Sequence, residues 1–288
     1  MEAYPWHAEV LDELAQRLAR DALPAAIGLS CAEGWGGQSL LARASMLLLA
    51  LDQDQQPGVL AHPDFRWAVP EGSMIKVDQV RALNAFAVQT PQIAPRKVVA
   101  ILDAHLLNAN ASNTLLKTLE EPSANTHILL CTAHWSRLLP TLRSRCQHFP
   151  VTASITQADN WLREQGVAAT PEQLAQAGYA PITMREQFAD FDLQPLLAEV
   201  AVSQHFSELV DRVINLGTEL VLGSWFRLLI TQQGHAPSRA LLAFADELSD
   251  ARRMLDTTNS TNVRLALERL FHLWQQVVAY QARMRQDS

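Results

Sequence analysis

Short apolar runs alternate with amphipathic segments over the first half of the chain. Four runs rich in β-branched and aliphatic residues predict strands, at 24–30, 65–69, 97–103 and 127–132. The segments between and around them show helical spacing, at 9–20, 39–51, 78–90 and 110–121. Because strands that alternate with helices need crossover connections, this pattern predicts an α/β fold with a mostly parallel sheet covered on both faces.

Strand patterns fade near Thr152, and helical periodicity then continues to the end of the sequence. Short helices are followed by long amphipathic stretches, predicted at 196–216, 220–230, 240–255 and 262–284, with loops at 234–237 and 256–261. The change in periodicity predicts three domains. They are an α/β domain at 1–151, a small helical lid at 152–193 and an all-α domain at 194–288.

Composition narrows the class of protein. With 48% hydrophobic and 18% charged residues in 288, the chain has the balance of a globular protein and not of a disordered one. Its net charge of −7 argues against a nucleic-acid coat protein. Three widely spaced cysteines and an acidic, amphipathic start predict a reducing, cytoplasmic location with no secretory signal. The longest apolar run, near 46–51, is too short to cross a membrane.

The turn after the first predicted strand has the position of a phosphate-binding loop. Such a loop reads Gly-x-x-x-x-Gly-Lys-[Ser/Thr]: its backbone N–H groups cradle phosphate, the lysine pairs with it, and the hydroxyl holds magnesium. Here the loop is degenerate at Cys31, Gly34, Gly36, Gly37 and Gln38. Cys31 replaces the first glycine, Gly37 replaces the lysine and Gln38 replaces the hydroxyl residue. An ordinary glycine-rich turn has the same composition, so the loop alone leaves both interpretations open.

The strand Lys97–Asp103 ends on an acid at the place where an ATPase holds magnesium. The next residue, which polarises the attacking water in an active ATPase of this architecture, is Ala104 and not glutamate. Asp103 alone is also a plausible helix cap. Taken with the loop, however, it indicates a nucleotide-binding scaffold that has lost its hydrolytic groups.

The most specific segment is Asn113–Cys146, which contains LLKTLEEP, LLPT and a terminal Ser144-Arg145-Cys146. In these motifs the chain resembles the AAA+ clamp-loader subunits of the bacterial DNA polymerase III holoenzyme. Further matching words are His62–Phe65, Asp78–Arg81 and Asn262–Glu268. The resemblance therefore touches both ends of the chain.

Within that family, Ser-Arg-Cys occurs in the ATPase subunits (tau/gamma) and in the delta-prime subunits. The degenerate loop and the shorter length make this chain resemble the delta-prime branch, which implies a module that does not hydrolyse ATP. The resemblance implies that Arg145 is an arginine finger for the ATP site of a neighbouring subunit, with Ser144 and Cys146 small enough for close packing. It also implies a hetero-pentamer with an ATPase subunit and delta, joined by a helical collar, that acts on a sliding clamp and primed DNA without any membrane.

Three features depart from or bear on the family pattern. The four-cysteine zinc module of many members is missing from Leu51–Val69, so neither zinc nor ATP is expected as a cofactor, although His62 lies in this stretch. The lid has no arginine at the usual helix start before Arg185. Thr132 occupies the family's polar sensor position, which is also a strand end.

Two other functions stay open on the sequence. One is an active AAA+ ATPase with an unorthodox loop, in which Ser39 and either Lys97 or Lys117 replace the missing groups. The other is a stand-alone DNA-binding module, which the acidic composition disfavours. A tryptophan in the degenerate loop, Trp35, suggests that a side chain fills the vacated phosphate position.

Overall fold

The computed structural model describes residues 2–51, 61–188, 192–235, 238–257 and 263–286. Backbone contacts divide the chain into two compact units, Met1–Trp161 and Leu162–Ser288. The predicted boundary between a lid at 152–193 and an all-α domain at 194–288 is not tested by this division and stays a prediction. The predicted loops at 234–237 and 256–261 lie partly outside the described residues.

The first unit is built on a five-stranded sheet. The strands are β1 (Ala26–Ser30), β2 (Phe65–Ala68), β3 (Lys97–Ile101), β4 (Thr126–Thr132) and β5 (Gln147–Pro150). Their order across the sheet is β2-β3-β4-β1-β5, and every adjacent pair is parallel. The register places Ile27 opposite Leu129 and Val99 opposite Ile128. The predicted parallel α/β fold is thereby confirmed.

Strand β5 was absent from the sequence-based prediction. It is four residues long, and Phe149 is its one buried residue. A short edge strand with exposed residues at three of its four positions lacks the apolar run that predicts the other strands. Only its pairing with β1 makes it a strand.

Helices cover both faces of the sheet. In the first unit they are α1 (Ala8–Ala19), α2 (Gly37–Leu49), α3 (Val77–Ala87), α4 (Ala109–Glu120) and α5 (Pro140–Arg143), and α6 (Ile155–Glu164) begins in the first unit and ends in the second. Every residue of β3 and β4 is buried, as expected for central strands of a parallel sheet. One face packs on α3 and α4 through aliphatic side chains such as Val80, Leu83 and Leu115.

The second unit consists of helices. They are α7 (Pro171–Gln176), α8 (Pro181–Thr183), α9 (Leu193–Val202), α10 (Ser207–Leu216), α11 (Thr218–His235), α12 (Arg239–Thr257) and α13 (Val263–Gln286), with a π-helical turn at Met184–Phe188. No single described helix has the length and apolar composition needed to cross a membrane, although α10 and the first part of α11, bent by 98°, reach that composition together.

The single helix predicted at 196–216 was wrong, because the chain breaks between α9 and α10. Ser203 leaves the helix with extended backbone, and its hydroxyl donates a hydrogen bond to the His205 carbonyl. The amide of Gln275 on α13 donates to the carbonyls of Val200 and Ser203, at 2.9 and 2.7 Å. A long-range partner for the freed carbonyls stabilises this break, and sequence periodicity does not reveal such a partner.

Candidate functional site

The glycine-rich turn between β1 and α2 has two glycines with left-handed backbone. Gly34 and Gly36 have φ values of 69° and 83°, a left-handed conformation that glycine adopts without strain. Gly36 is the N-cap residue of α2, and Gly37 begins the helix where the lysine of a working loop would lie. The turn therefore lies between a strand and a helix, as predicted, and its interpretation as a degenerate phosphate loop stays a prediction.

Residues that precede α1 pack directly over this turn. The carbonyl of Trp35 accepts hydrogen bonds from the Trp6 indole and from His7 Nε2, each at 2.8 Å, and from the Cys31 thiol at 3.3 Å. The Trp35 side chain is buried and meets the Trp6 ring edge-on, with 5.1 Å between ring centroids. The N-terminal segment and the loop thus form one closed aromatic cluster.

Ser39, the hydroxyl that an active ATPase would need for magnesium, is part of the same arrangement. It is buried, and its hydroxyl donates to the Glu2 carbonyl at 2.7 Å. A magnesium-holding role for Ser39 would require the residues that bury it to move. The position of Ser39 thus gives no support to the active-ATPase alternative.

His7 is fully buried in this cluster, and its Nδ1 has no hydrogen-bond partner among the described residues. Since a carbonyl only accepts, Nε2 carries the proton of the neutral ring. Burial lowers the pKa of His7 from 6.5 to about 4, with a smaller lowering by the charge of Arg43, and the bond to Trp35 only partly opposes this shift. Between pH 6.5 and about pH 4, His7 is therefore neutral in the folded protein but protonated in the unfolded chain.

We expect the His7 pKa to make folding pH-dependent. Because the folded pKa is depressed, its stabilising contribution is complete above pH 6.5 and is lost as the pH falls towards 4, by about 3 kcal/mol in all. Urea unfolding followed by tryptophan fluorescence at pH 7.5 and pH 4.5 measures this change. The His7→Gln variant keeps a side-chain donor but does not titrate, so its free energy of unfolding should fall less over that interval. Equal losses in both proteins would contradict the assignment.

A polar network lies at the carboxyl ends of the strands next to the loop. Thr132 Oγ1, at the end of β4, is 2.9 Å from His105 Nδ1 and accepts from the backbone N–H of His134 at 3.0 Å. His134 Nε2 is 2.9 Å from a carboxylate oxygen of Glu33 in the loop. The network links the turns after β1, β3 and β4. Sequence reasoning singled out Thr132 but missed both histidines, since they belong to no motif it used.

Asp103 lies at the same edge, two residues after the end of β3. It has left-handed backbone with φ of 51°, and its side chain does not cap the short 3-10 helix that begins at Ala104. Burial lowers the pKa of His105, the interaction with His134 lowers it further, and the Asp103 charge opposes that change. The acid is therefore present at its predicted place and acts on its neighbours through its charge.

Neither lysine of the active-ATPase alternative lies at the loop. Lys97 is the first residue of β3, at the edge of the sheet opposite to the loop, and it is completely buried. Its ammonium is 3.9 Å from Asp64 Oδ1 and 3.9 Å from the centre of the Phe86 ring. Lys117 is exposed in the last turn of α4. The structure accordingly assigns Lys97 to a buried ion pair.

Arg145 lies in the turn between α5 and β5. Its Nε donates to Glu120 Oε1 at 2.8 Å, its Nη2 reaches the same oxygen, and its Nη1 donates to the Thr141 carbonyl at 2.9 Å. The side chain remains 34% exposed. Ser144 is also exposed and donates to the Thr141 carbonyl. The Arg145 guanidinium is thus partly exposed to solvent and fixed by hydrogen bonds to Glu120 and Thr141.

The neighbouring residue, Cys146, ties this turn to the sheet. A β-carbon added to Gly28 of β1 would come within 3.4 Å of the Cys146 β-carbon and 2.2 Å of the Trp135 ring. Trp135 in turn stacks on His148 with 4.0 Å between ring centroids. Burial raises the pKa of the Cys146 thiol to about 12, so the thiol stays protonated and serves in packing.

The two parts of the predicted site lie at opposite edges of the sheet. The loop, Asp103 and Thr132 follow the carboxyl ends of parallel strands, whereas Ser144–Cys146 precedes the amino end of β5. Strand β1 separates the edges over five residues, which is on the order of 15 Å. Arg145 therefore faces away from the loop of its own chain.

The described residues contain no group of three or more His, Cys, Asp or Glu side chains arranged to hold a metal ion. Residues 52–60, in the stretch where the family's zinc module would be inserted, lie outside the described part of the chain. His62, which follows this stretch closely, accepts a hydrogen bond at Nδ1 from the backbone N–H of Asp64 at 3.1 Å.

A parallel sheet in the order found here, a glycine-rich turn before a buried helix and an acid after β3 together define an AAA+-type module. A family model described as "DNA polymerase III, delta subunit" matches residues 6–154, which is more than half of the chain. The chain belongs to this family.

Curated relatives named DNA polymerase III subunit delta-prime support the finer resemblance. The chain is 38% identical over 198 residues to the subunit of Pseudomonas aeruginosa, 31% over 183 residues to that of Haemophilus influenzae and 32% over 181 residues to that of Escherichia coli. The matched regions cover 63, 59 and 57% of this chain. They span only 60, 56 and 54% of the relatives' own lengths. The predicted resemblance to the delta-prime branch is confirmed.

One solved structure confirms the fold over more of the chain. A DNA polymerase III gamma subunit-related protein from Thermotoga maritima superposes with a TM-score of 0.59 at 19% sequence identity. The match covers 92% of this chain and 98% of the Thermotoga protein.

Proposed function

We propose that this protein is a clamp-loader subunit of the delta-prime kind, which does not hydrolyse ATP and supplies Arg145 to the ATP site of a neighbouring subunit. The observation that carries the proposal is the contrast between the two edges of the sheet. At one edge lies a phosphate loop that lacks its lysine, and residues of the same chain cover this loop. The other has an accessible arginine within Ser-Arg-Cys.

The closed loop supports the absence of nucleotide binding. A triphosphate brings about four negative charges, and a working loop offsets them with a lysine and a magnesium ion. Here the lysine position is Gly37, the hydroxyl position is Gln38, and Ala104 replaces the acid that polarises water. Trp35 and Ser39 are already engaged by the N-terminal segment. A bound nucleotide would have to displace these contacts without electrostatic compensation.

The chemistry of arginine supports the finger role. A guanidinium is always charged, and its planar array of donors matches phosphate oxygens. Because Arg145 lies at the edge remote from its own loop, any triphosphate that it contacts belongs to another chain. An arginine of this kind stabilises the charge that develops on the transferred phosphoryl group.

The implied partners are an ATPase subunit of the tau/gamma kind and a delta subunit, joined in a hetero-pentamer. Relatives named gamma and tau also match this chain, over 28 and 37% of its length, which supports a common clamp-loader context. In this role the protein contributes to loading a sliding clamp on primed DNA in the bacterial cytoplasm.

The proposal is tested on the isolated chain and on the complex reconstituted with cognate tau/gamma, delta and clamp. Titration with a fluorescent ATP analogue and magnesium is expected to show no saturable binding to the isolated chain up to millimolar nucleotide. The reconstituted mixture is expected to load the clamp on primed DNA only when this chain is present.

The cognate ATPase subunit serves as the positive control for nucleotide binding. Micromolar affinity and turnover by the isolated chain would favour the active-ATPase alternative. Full clamp loading by a mixture that lacks the chain would remove the clamp-loader role.

A further inference from the structure

The C-terminal end of α4 reaches the turn that carries Arg145. Glu120 is the last residue of this helix, and its Oε1 accepts hydrogen bonds from both Nε and Nη2 of Arg145. The two residues are 25 positions apart in sequence, so the contact depends on the packing of α4 against α5. A cation near a helix C-terminus is also stabilised by the helix dipole.

The contacts of Arg145 take up two sides of the guanidinium. The group has five N–H donors. Glu120 accepts from Nε and Nη2, and the Thr141 carbonyl accepts from Nη1. Nη1 also donates to the Ser144 hydroxyl oxygen at 3.4 Å, so four donors are engaged and one N–H, on Nη2, has no partner among the described residues. The Glu120 pair thus holds one side of a guanidinium that remains 34% exposed.

We propose that Glu120 is a positioning residue for Arg145: it fixes the guanidinium side-on, so that the remaining N–H of Nη2 is held ready for the neighbour's phosphate. This inference rests on the proposed finger role of Arg145. A free arginine side chain has many rotamers, and fixing them at the moment of assembly is costly. A carboxylate that fixes them in advance makes the arginine pre-organised for catalysis.

The Coulomb attraction of the pair is not the source of the effect. Both side chains are substantially exposed, at 34 and 48%, and exposed ion pairs contribute little to stability. Loss of Glu120 should therefore leave the fold unchanged. It should instead let the guanidinium move by an ångström or more, and a displacement of that size reduces a rate by up to about 100-fold.

The test compares Glu120→Gln with Glu121→Gln in the complete reconstituted complex. Glu121 is the matched control, since it is the next residue, is exposed and carries the same charge. We expect Glu120→Gln to lower kcat for ATP hydrolysis at the shared site roughly 10-fold, with KM for ATP and assembly unchanged. Glu121→Gln should leave kcat within about twofold of the parent.

A double variant checks that Glu120 acts through the arginine. If it does, Glu120→Gln with Arg145→Ala should hydrolyse ATP at the same rate as Arg145→Ala alone. A faster rate for Glu120→Gln than for the parent would identify Glu120 as a competitor for the guanidinium and overturn the proposal. Loss of assembly in Glu120→Gln, measured by complex mass and absent in Arg145→Ala, would make Glu120 purely structural and overturn it as well.

The failures of the two proposals can be told apart. If Arg145→Ala lowers the rate and Glu120→Gln does not, only the positioning role is wrong. If Arg145→Ala itself has no effect in a complete complex, the result contradicts both the finger role and the positioning role.

Discussion

Arg145→Ala is expected to stop ATP hydrolysis at one site of the assembled clamp loader while the protein folds and assembles normally. The variant removes a guanidinium that hydrogen bonds to Glu120 and Thr141 hold in place. In related GTPases, an arginine supplied in trans is worth about 10³–10⁵ in rate. Because Arg145 is partly exposed, its loss should change the free energy of unfolding by no more than about 0.5 kcal/mol.

A single-turnover experiment on the complex with DNA and clamp shows the effect most directly. The parent should hydrolyse all bound ATP, whereas Arg145→Ala should leave a slow fraction that corresponds to the one affected site. Arg145→Lys should not restore the fast phase, since an ammonium lacks the planar donor array. Arg137→Ala is the matched control, because Arg137 is another exposed arginine of the same segment. An unchanged time course for Arg145→Ala in a fully assembled complex would exclude the finger role.

Asp64→Asn is expected to destabilise the first unit by about 3–5 kcal/mol. Asp64 and Lys97 are both completely buried, and the Lys97 ammonium has no hydrogen-bond partner among the described residues. Its compensation is the Asp64 carboxylate at 3.9 Å and the face of Phe86. The substitution leaves a buried charge without its counter-charge, which is among the costliest changes in a protein interior.

Urea unfolding of three variants separates the charge effect from the loss of hydrogen bonds. Lys97→Met, with a side chain of similar length, leaves Asp64 with the backbone N–H groups of residues 92–94, at 2.6 to 2.8 Å. The double variant Asp64→Asn/Lys97→Met should recover much of the stability lost in Asp64→Asn, since it removes both charges. A loss below 1 kcal/mol in Asp64→Asn would show that the pair contributes little.

The Asp64 carboxylate also makes the free energy of unfolding depend on pH. Burial alone would raise the pKa of Asp64, but the three backbone N–H groups and the charge of Lys97 together lower it below the ordinary 3.8. A depressed carboxyl pKa gives stability that is present above pH 3.8 and is lost as the pH falls through the folded pKa. The acid limb of the stability curve should therefore be shallower in Asp64→Asn than in the parent.

The features that sequence found are those with a local signal. Buried strands such as β4 are continuous apolar runs, and the degenerate loop is a short motif with a known position between strand and helix. The features that it missed depend on distant partners. His105 and His134 meet through Thr132, and β5 is a strand only because β1 lies beside it.

The sequence by itself determined the α/β class, the glycine at the position where a phosphate loop has lysine, and the presence of Arg145 within a specific motif, because each depends on adjacent residues. The tertiary structure decided that Lys97 is in the interior, that Trp6 and His7 close the loop, and that Glu120 holds Arg145. Those outcomes depend on contacts between residues 25 to 33 positions apart. Such contacts form only when helices and strands pack, since packing lets a buried charge or carbonyl find a partner that compensates for lost water.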